Sequence, residues 1–366
     1  VGTPYIALFF RAHGLSGGDI GLILGAPMLA RMATGPALAV WADGFRLRRT
    51  AILIMAGLSA LGYGALLVTS GFWPWLVAWF VGVTGFWVCT PLADVVTLRR
   101  AAREGFAYAG PRGMGSAAYV VANIAAGALI PVVGAVLAPA WITVCAALSV
   151  LGALALIPPD PVHEDDAAMH GGRSRLAGAG RLLRNPIFML MLASAAFVQA
   201  AHGFYYAFST LIWRAQGISP AWSGVLWGVG VGVEVCFLWF GEGLRRRIGP
   251  ARLLVLGAAG SVLRWTALAF SPPLWLLFPI QALHSMSFTA TFVAALELTE
   301  RLAPREDASA AQSLNAALSF GLMSGLSTLI AGPLFDHAGA WGYLAMSALA
   351  GVGLGGSLLL LRRLRA

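Results

Sequence analysis

The chain has 366 residues, 59% hydrophobic and 11% charged, with a mean hydropathy of +0.79. Soluble domains carry roughly a quarter charged residues, so a water-soluble enzyme core is excluded, and the recurring apolar runs predict a polytopic membrane protein. The net charge of +9 would suggest nucleic acid for a soluble protein, but here the basic residues sit in short loops between apolar runs, so no nucleic-acid partner is expected.

Val1 to Phe10 is apolar but shorter than the about 20 residues a spanning helix needs. It is expected to be the outer end of a first helix truncated at its N-terminus. A second span is predicted over 20–41, followed by a tight basic turn, Ala42-Asp43-Gly44-Phe45-Arg46-Leu47-Arg48-Arg49. The third and fourth spans cover roughly 51–69 and 75–98, and Arg99, Arg100 and Arg103 follow. The fifth runs from near Gly113 to near Leu137 with Pro131 inside it, and the sixth ends at Ile157 before Pro158-Pro159. Residues 159–185 form the one long polar segment, acidic at Glu164, Asp165 and Asp166, then basic at Arg173, Arg175, Arg181 and Arg184. Its glycines and alanines suggest a flexible linker with a short surface helix near Leu182. Six further spans are expected at 186–211, 221–241, 250–270, 274–298, 309–332 and 338–361. This gives an all-α membrane protein with an N-terminal bundle over 1–158, a linker over 159–185 and a C-terminal bundle over 186–366.

An internal repeat supports the division. Phe10 to Arg31 reads FRAHGLSGGDIGLILGAPMLAR, and Trp213 to Glu234 reads WRAQGISPAWSGVLWGVGVGVE. Arg11, Gly14, Ser16 and Gly21 align with Arg214, Gly217, Ser219 and Gly224. The last matched position carries opposite charges, Arg31 and Glu234, inside an apolar helix.

All 24 basic residues are arginine. Arg11 and Arg214 lie in loops at one end, Arg31 and Arg264 within spans, and the remaining 20 at the other end. The positive-inside rule places that end, with both termini, in the cytoplasm of an inner membrane. Cys89, Cys145 and Cys236 fall within apolar runs, unlike metal ligands or a disulfide framework. No metal or cofactor is expected. The glycine-rich runs lie in helices, where small residues permit close packing.

Twelve helices in two six-helix halves joined by a cytoplasmic linker resemble the major facilitator superfamily, whose halves are repeats about an axis along the membrane normal. The turn after the second span is similar to that superfamily's signature loop, Gly-x-x-x-Asp-Arg-x-Gly-x-Arg-Arg. Asp43, Arg48 and Arg49 match it, and Ala39, Gly44 and Arg46 depart. The second-half counterpart, Glu242-Gly-Leu-Arg-Arg-Arg, is looser. His202-Gly-Phe-Tyr205-Tyr206, the Gly217-Ile-Ser-Pro loop, Glu234, Arg264-Trp265 and Gln281-Ala-Leu-His284 together resemble the phenylpropionate permease family, related to lactose permease and the nucleoside/proton symporters. The resemblance implies alternating access, gated by the Asp43, Arg48 and Arg49 loop. The arginines of that loop also admit a purely topogenic role.

Each ionisable group inside a span costs about 2.5 kcal/mol or more to insert, so each needs a reason. Glu234 lies about 13 residues into the eighth span and His284 about 10 into the tenth, both near mid-membrane by the helical rise. Arg264 lies some seven residues below the outer end of the ninth. A carboxyl and an imidazole shielded from water can exchange protons near neutral pH, and Arg264 would hold the carboxylate form. The resemblance to lactose permease implies proton coupling by these three, although Ser287 stands where that permease has a second acid. The alternative is a static ion pair locking the eighth and ninth spans together. Asp94 and Arg112 match an acid–arginine pair that binds substrate in lactose permease, or else tie two helices at the rim. Arg31 could bind a carboxylate bidentately, with Tyr5, Tyr205, Tyr206, Phe204 and Trp265 near an aromatic solute; otherwise it bonds Gln312 or Asn315. His202, Gln199 and Gln281 are candidate polar lining or interhelical hydrogen bonds.

The expected function is proton symport of a small organic solute, such as 3-phenylpropionate or another aromatic or monocarboxylate, by a monomer in the lipid bilayer. Sugar or nucleoside symport, efflux by antiport and a non-transporting scaffold remain as alternatives.

Overall fold

The computed structural model describes residues 3–107, 109–157 and 172–365, and not the side chains of Thr3, Ala109, Arg112, residues 172–177 and Ser309. The acidic part of the polar segment and the Arg112 side chain therefore lie outside the described residues. The first six helices are α1 (Thr3–Ala12), α2 (Gly17–Asp43), α3 (Arg48–Val68), α4 (Phe72–Glu104), α5 (Ala109–Val133) and α6 (Leu137–Leu156). The polar segment ends in α7 (Gly172–Leu183). Then come α8 (Pro186–Ala200), α9 (Gly203–Ala215), α10 (Pro220–Phe240), α11 (Glu242–Ile248), α12 (Pro250–Ala269), α13 (Leu274–Ala282), α14 (Thr291–Leu302), α15 (Ala308–Ala316), α16 (Ser324–Ala338) and α17 (Gly342–Arg363).

Among the described residues, ten stretches are long and apolar enough to cross a membrane. The last of them, Ala310–Arg363, is 54 residues long and turns back at Gly339, where φ is 52°, so it crosses twice. Leu61, Val77 and Leu151 stand exposed on outward faces. In water such a surface would aggregate; in a bilayer it meets lipid tails.

The two copies of the sequence repeat build the same turn. Gly14 and Gly217 take φ of 87° and 81°, a region glycine enters without a Cβ clash. Leu15 N–H donates to Phe10 O at 3.2 Å and Ile218 N–H to Trp213 O at 2.9 Å, closing each helix end with the same six-residue bond. Ser16 then caps α2 by accepting from Asp19 N–H, in a capping box with Asp19, and Ser219 caps α10 by accepting from Trp222 N–H. These caps satisfy N–H groups that the first helical turn leaves unpaired.

The helices depart from the expectation in four spans. The fifth span stops at Val133 instead of running to Leu137, because Gly134 adopts φ 94°. The seventh is broken at Ala201 and His202 into α8 and α9. The tenth and eleventh contain π-helical turns at Ser285–Ala290 and Ala317–Met323.

Contacts across the linker run mainly along α2 against α16, α5 against α10 and α1 against α9. They are tightest at the end bearing Gly14 and Gly217, hereafter the turn end. A Cβ on Gly21 would lie 2.9 Å from Thr328 O, so only glycine allows that approach. Tyr5 OH donates to Asn123 O at 2.9 Å and lies 3.3 Å from Pro220 O, tying α1, α5 and α10 together. Toward the arginine-rich end the second half of α2 is largely exposed, Val40 at 74%.

Candidate functional site

Arg264 is fully buried on α12. Its Nη1 donates to His284 Nδ1 at 2.8 Å and to Ser287 Oγ at 3.2 Å, and its Nη2 to Gln281 Oε1 at 2.9 Å. The guanidinium lies between two rings, 4.4 Å from the Tyr205 centroid and 4.5 Å from that of Trp265. Desolvated cation–π contacts contribute on the order of 2 kcal/mol, so rings and hydrogen bonds together hold this cation in the apolar interior.

An arginine has donors only, so His284 Nδ1 is an acceptor and the ring proton is on Nε2. That nitrogen lies 2.7 Å from Glu234 Oε1. Glu234 and Arg264 are therefore joined through a neutral imidazole. Arg264 acts on the Glu234 carboxylate at one remove, through the ring. Gly230, one turn before Glu234, faces the ring: a Cβ there would lie in ordinary contact with it, 3.4 Å from His284 Cδ2.

The irregular backbone around the cluster serves it. At the break in the seventh span His202 Nδ1 donates to the carbonyls of Val198 and Gln199, both at 3.2 Å. Its Nε2 is then an acceptor and lies 3.2 Å from Ser287 Oγ. Where the π-turn ends, Phe288 O accepts from Thr291 N–H and also from Gln199 Nε2, the latter at 3.2 Å. Tyr205 OH donates to Gln281 Oε1 at 2.9 Å. His202, Gln199, Gln281 and Tyr205 are thus buried in interhelical bonds, while Tyr206 alone of these borders open space.

Arg31 lies apart from this cluster. Its guanidinium stands 5.0 Å from the Trp87 ring centroid on α4. It lines a cavity of about 270 Å³ with Thr34, Asp43, Arg48 and Trp87. Gln312 Nε2 instead meets Leu296 O at 3.5 Å, and Asn315 accepts from Ser319. A second cavity of about 190 Å³ lies toward the turn end, bordered by Met28, Tyr63, Trp79, Trp87, Tyr206 and Thr328. Arg31 and Glu234 each lie 14 residues into their helix, 31 − 17 and 234 − 220, about 21 Å at the helical rise.

Asp94 is half-buried on α4, three residues after Pro91. Asp43 ends α2, Arg48 opens α3, and Arg49 Nη1 donates to Ile157 O at 3.4 Å. In the second half Arg245 Nη1 donates to Phe237 O at 2.7 Å, closing the end of α10. Tyr5, Phe204 and Trp265 are fully buried.

A family model described as MFS_1 like family matches residues 2–345. The chain belongs to that family. Among MFS_1 like relatives, the Probable 3-phenylpropionic acid transporter of Escherichia coli (strain K12) is 27% identical over 355 residues, covering 95% of this chain and 90% of its own. The Maltose permease of Geobacillus stearothermophilus is 29% identical over 336 residues, covering 91% and 83%. The fold matches that of the nucleoside transporter NupG, with a TM-score of 0.84 at 14% identity over 100% of this chain and 94% of that one. It also matches an inward-facing bacterial homolog of the lysosomal transporter Spinster, with a TM-score of 0.74 at 15% identity over 99% and 93%. The chain is a membrane transporter of the major facilitator fold and not an enzyme.

Three residues of this MFS_1 like chain escaped the sequence reading. Trp87 separates the two cavities, Tyr119 on α5 lies within electrostatic range of Glu234, and Asp336 on α16 accepts from Gly18 N–H at 3.1 Å. Trp87 and Tyr119 look like any aromatic in an apolar helix. Asp336 meets its partner across 318 residues, and no local pattern signals that.

Proposed function

We propose that this transporter couples entry of a small organic monocarboxylate to protons, with Glu234 as the proton-carrying group and Arg31 as the anion-binding group. The observation that carries the reading is the bridge of Glu234, His284 and Arg264, with contacts of 2.7 and 2.8 Å. Because Arg264 occupies Nδ1, the imidazole cannot gain a second proton without breaking that bond, so the exchangeable proton sits on Glu234. Deprotonated, Glu234 accepts from His284 Nε2–H, which is itself polarised by Arg264. Protonated, it loses its Coulombic hold on that chain, and α10 and α13 are freer to separate. Substrate chemistry is supported by the cationic Arg31 beside an aromatic cavity and by the likeness to a probable 3-phenylpropionic acid transporter.

The arginine-rich end is read as cytoplasmic, in a bacterial inner membrane. Residues 1–158 and 186–366 then rock as two bodies in a monomer, closed here at the outer turn end and open toward the cytoplasm. Asp43, Arg48 and Arg49 form the inner gate. Asp94 contributes to solute binding at the inner rim, a role assigned to Arg112 by its sequence position alone.

In proteoliposomes, solute entry is expected to acidify the lumen. Glu234→Gln should abolish proton movement while retaining solute exchange. Gradient-driven accumulation by that variant at the normal level would sink the coupling model. A second reading, uptake of a neutral polyhydroxyl solute, draws on the maltose permease relative. Arg31→Gln separates the two: it should weaken binding of carboxylates but not of their amides, whereas equal effects on both favour the neutral solute.

A further inference from the structure

Among the described residues, Trp87 borders both cavities. On one side its ring carries the Arg31 guanidinium at 5.0 Å. On the other it forms a wall of the aromatic cavity with Trp79, Phe86 and Tyr206. A guanidinium held over a ring keeps its plane and its fork of donors oriented. A carboxylate engaging that fork lies at the edge of Trp87, and an organic part that follows the indole reaches the cavity bordered by Tyr206. The cavity there, about 190 Å³, is larger than the roughly 150 Å³ apolar cavity that accepts benzene.

We propose that Trp87 is the specificity-determining platform of this transporter, fixing Arg31 on one face and selecting aryl over alkyl carboxylates with the other. This rests on the reading of Arg31 as the anion-binding group. The occupant that fits is an arylalkanoate with a two- or three-carbon tether, long enough to leave the carboxylate on Arg31 while the ring enters the cavity. An alkyl chain of equal length fills less of the aromatic wall and gains no ring–ring contact.

The test is equilibrium binding to the purified full chain in detergent, with 3-phenylpropionate, hexanoate and 3-phenylpropionamide as probes. Trp87→Leu is expected to raise the Kd for 3-phenylpropionate by about tenfold and that for hexanoate by less than about threefold, the range expected for loss of an aromatic pair. Trp87→Met, flexible enough to fill the gap in other rotamers but without a ring, carries the same comparison should the leucine variant fail to fold. Equal weakening of the two acids, or no weakening of either, overturns the platform role. If wild-type protein binds the amide as well as the acid, the Arg31 reading fails first, and the platform role falls with it.

Discussion

Among the described residues, Arg264 keeps its charge in the apolar interior through hydrogen bonds and ring faces, with no carboxylate in direct contact. Ser287 is the pivot. Its hydroxyl accepts from Arg264 and has two outlets, His202 Nε2 at 3.2 Å and His284 O at 3.3 Å. Ser287→Ala removes those bonds while leaving the Glu234–His284 contact untouched. The cost is that of unpaired buried polar groups, about 1–3 kcal/mol. The thermal unfolding midpoint in detergent should fall, while the stoichiometry of protons to solute stays as in the wild type. An unchanged midpoint would show that the network is not held by this hydroxyl. The three titratable members were readable from the sequence because charges in apolar spans are rare. Ser287 was readable only as a departure from a related pattern, since a serine in a membrane helix is ordinary.

At the scale of elements, α2 and α16 meet where glycines allow it, and Asp336 fastens the contact. Its Oδ2 accepts from Gly18 N–H at 3.1 Å, at the positive end of the α2 dipole, and its Oδ1 lies 3.5 Å from Arg11 Nη1. Arg11 is half exposed, so the ion pair adds little. The helix-end bond is worth about 1 kcal/mol, roughly fivefold in a two-state population. Asp336→Ala should therefore open the turn end about fivefold more often. A cysteine at Thr328, on the cavity wall, reports this in a background with the three native cysteines changed to serine. An impermeant maleimide added from the turn side should label it about fivefold faster, and an equal rate would remove the latch. Helix positions followed from apolar runs, and starts from Ser16 and Ser219. The π-turns did not follow, because the bond from Gln199 to Phe288 O is tertiary and leaves no periodic trace. The break at His202 had a local cue in its following glycine, but a glycine in a membrane helix more often marks packing.

For the molecule as a whole, duplication sets two helices to the same depth, and divergence then gave one a cation and the other an acid. That much could be read from Arg31 and Glu234 in register. Which surfaces they face depends on packing between distant helices, so Trp87 and Tyr119 emerge only from the fold. The described end of the polar linker, α7, is tied down. Leu182 of α7 is buried in one apolar cluster with Phe188, Leu298 and Ala311, and Arg181 grips Asp307 with Nε at 3.1 Å and Nη2 at 2.6 Å. Asp307 is 2% exposed, and its bonds push the Arg181 guanidinium above its ordinary range, holding it charged. Arg181 itself is exposed, so the value of the clamp lies in pairing a carboxylate that would otherwise be buried alone. Arg181→Gln should release α7 from the loop between α14 and α15. Limited trypsin digestion should then cut at Arg184 and the other linker arginines several-fold faster, with solute exchange retained. Asp307→Asn keeps an acceptor for Arg181 without the charge, and should give a smaller increase. Identical digestion of all three proteins would mean that Leu182 and its apolar neighbours alone hold the helix down.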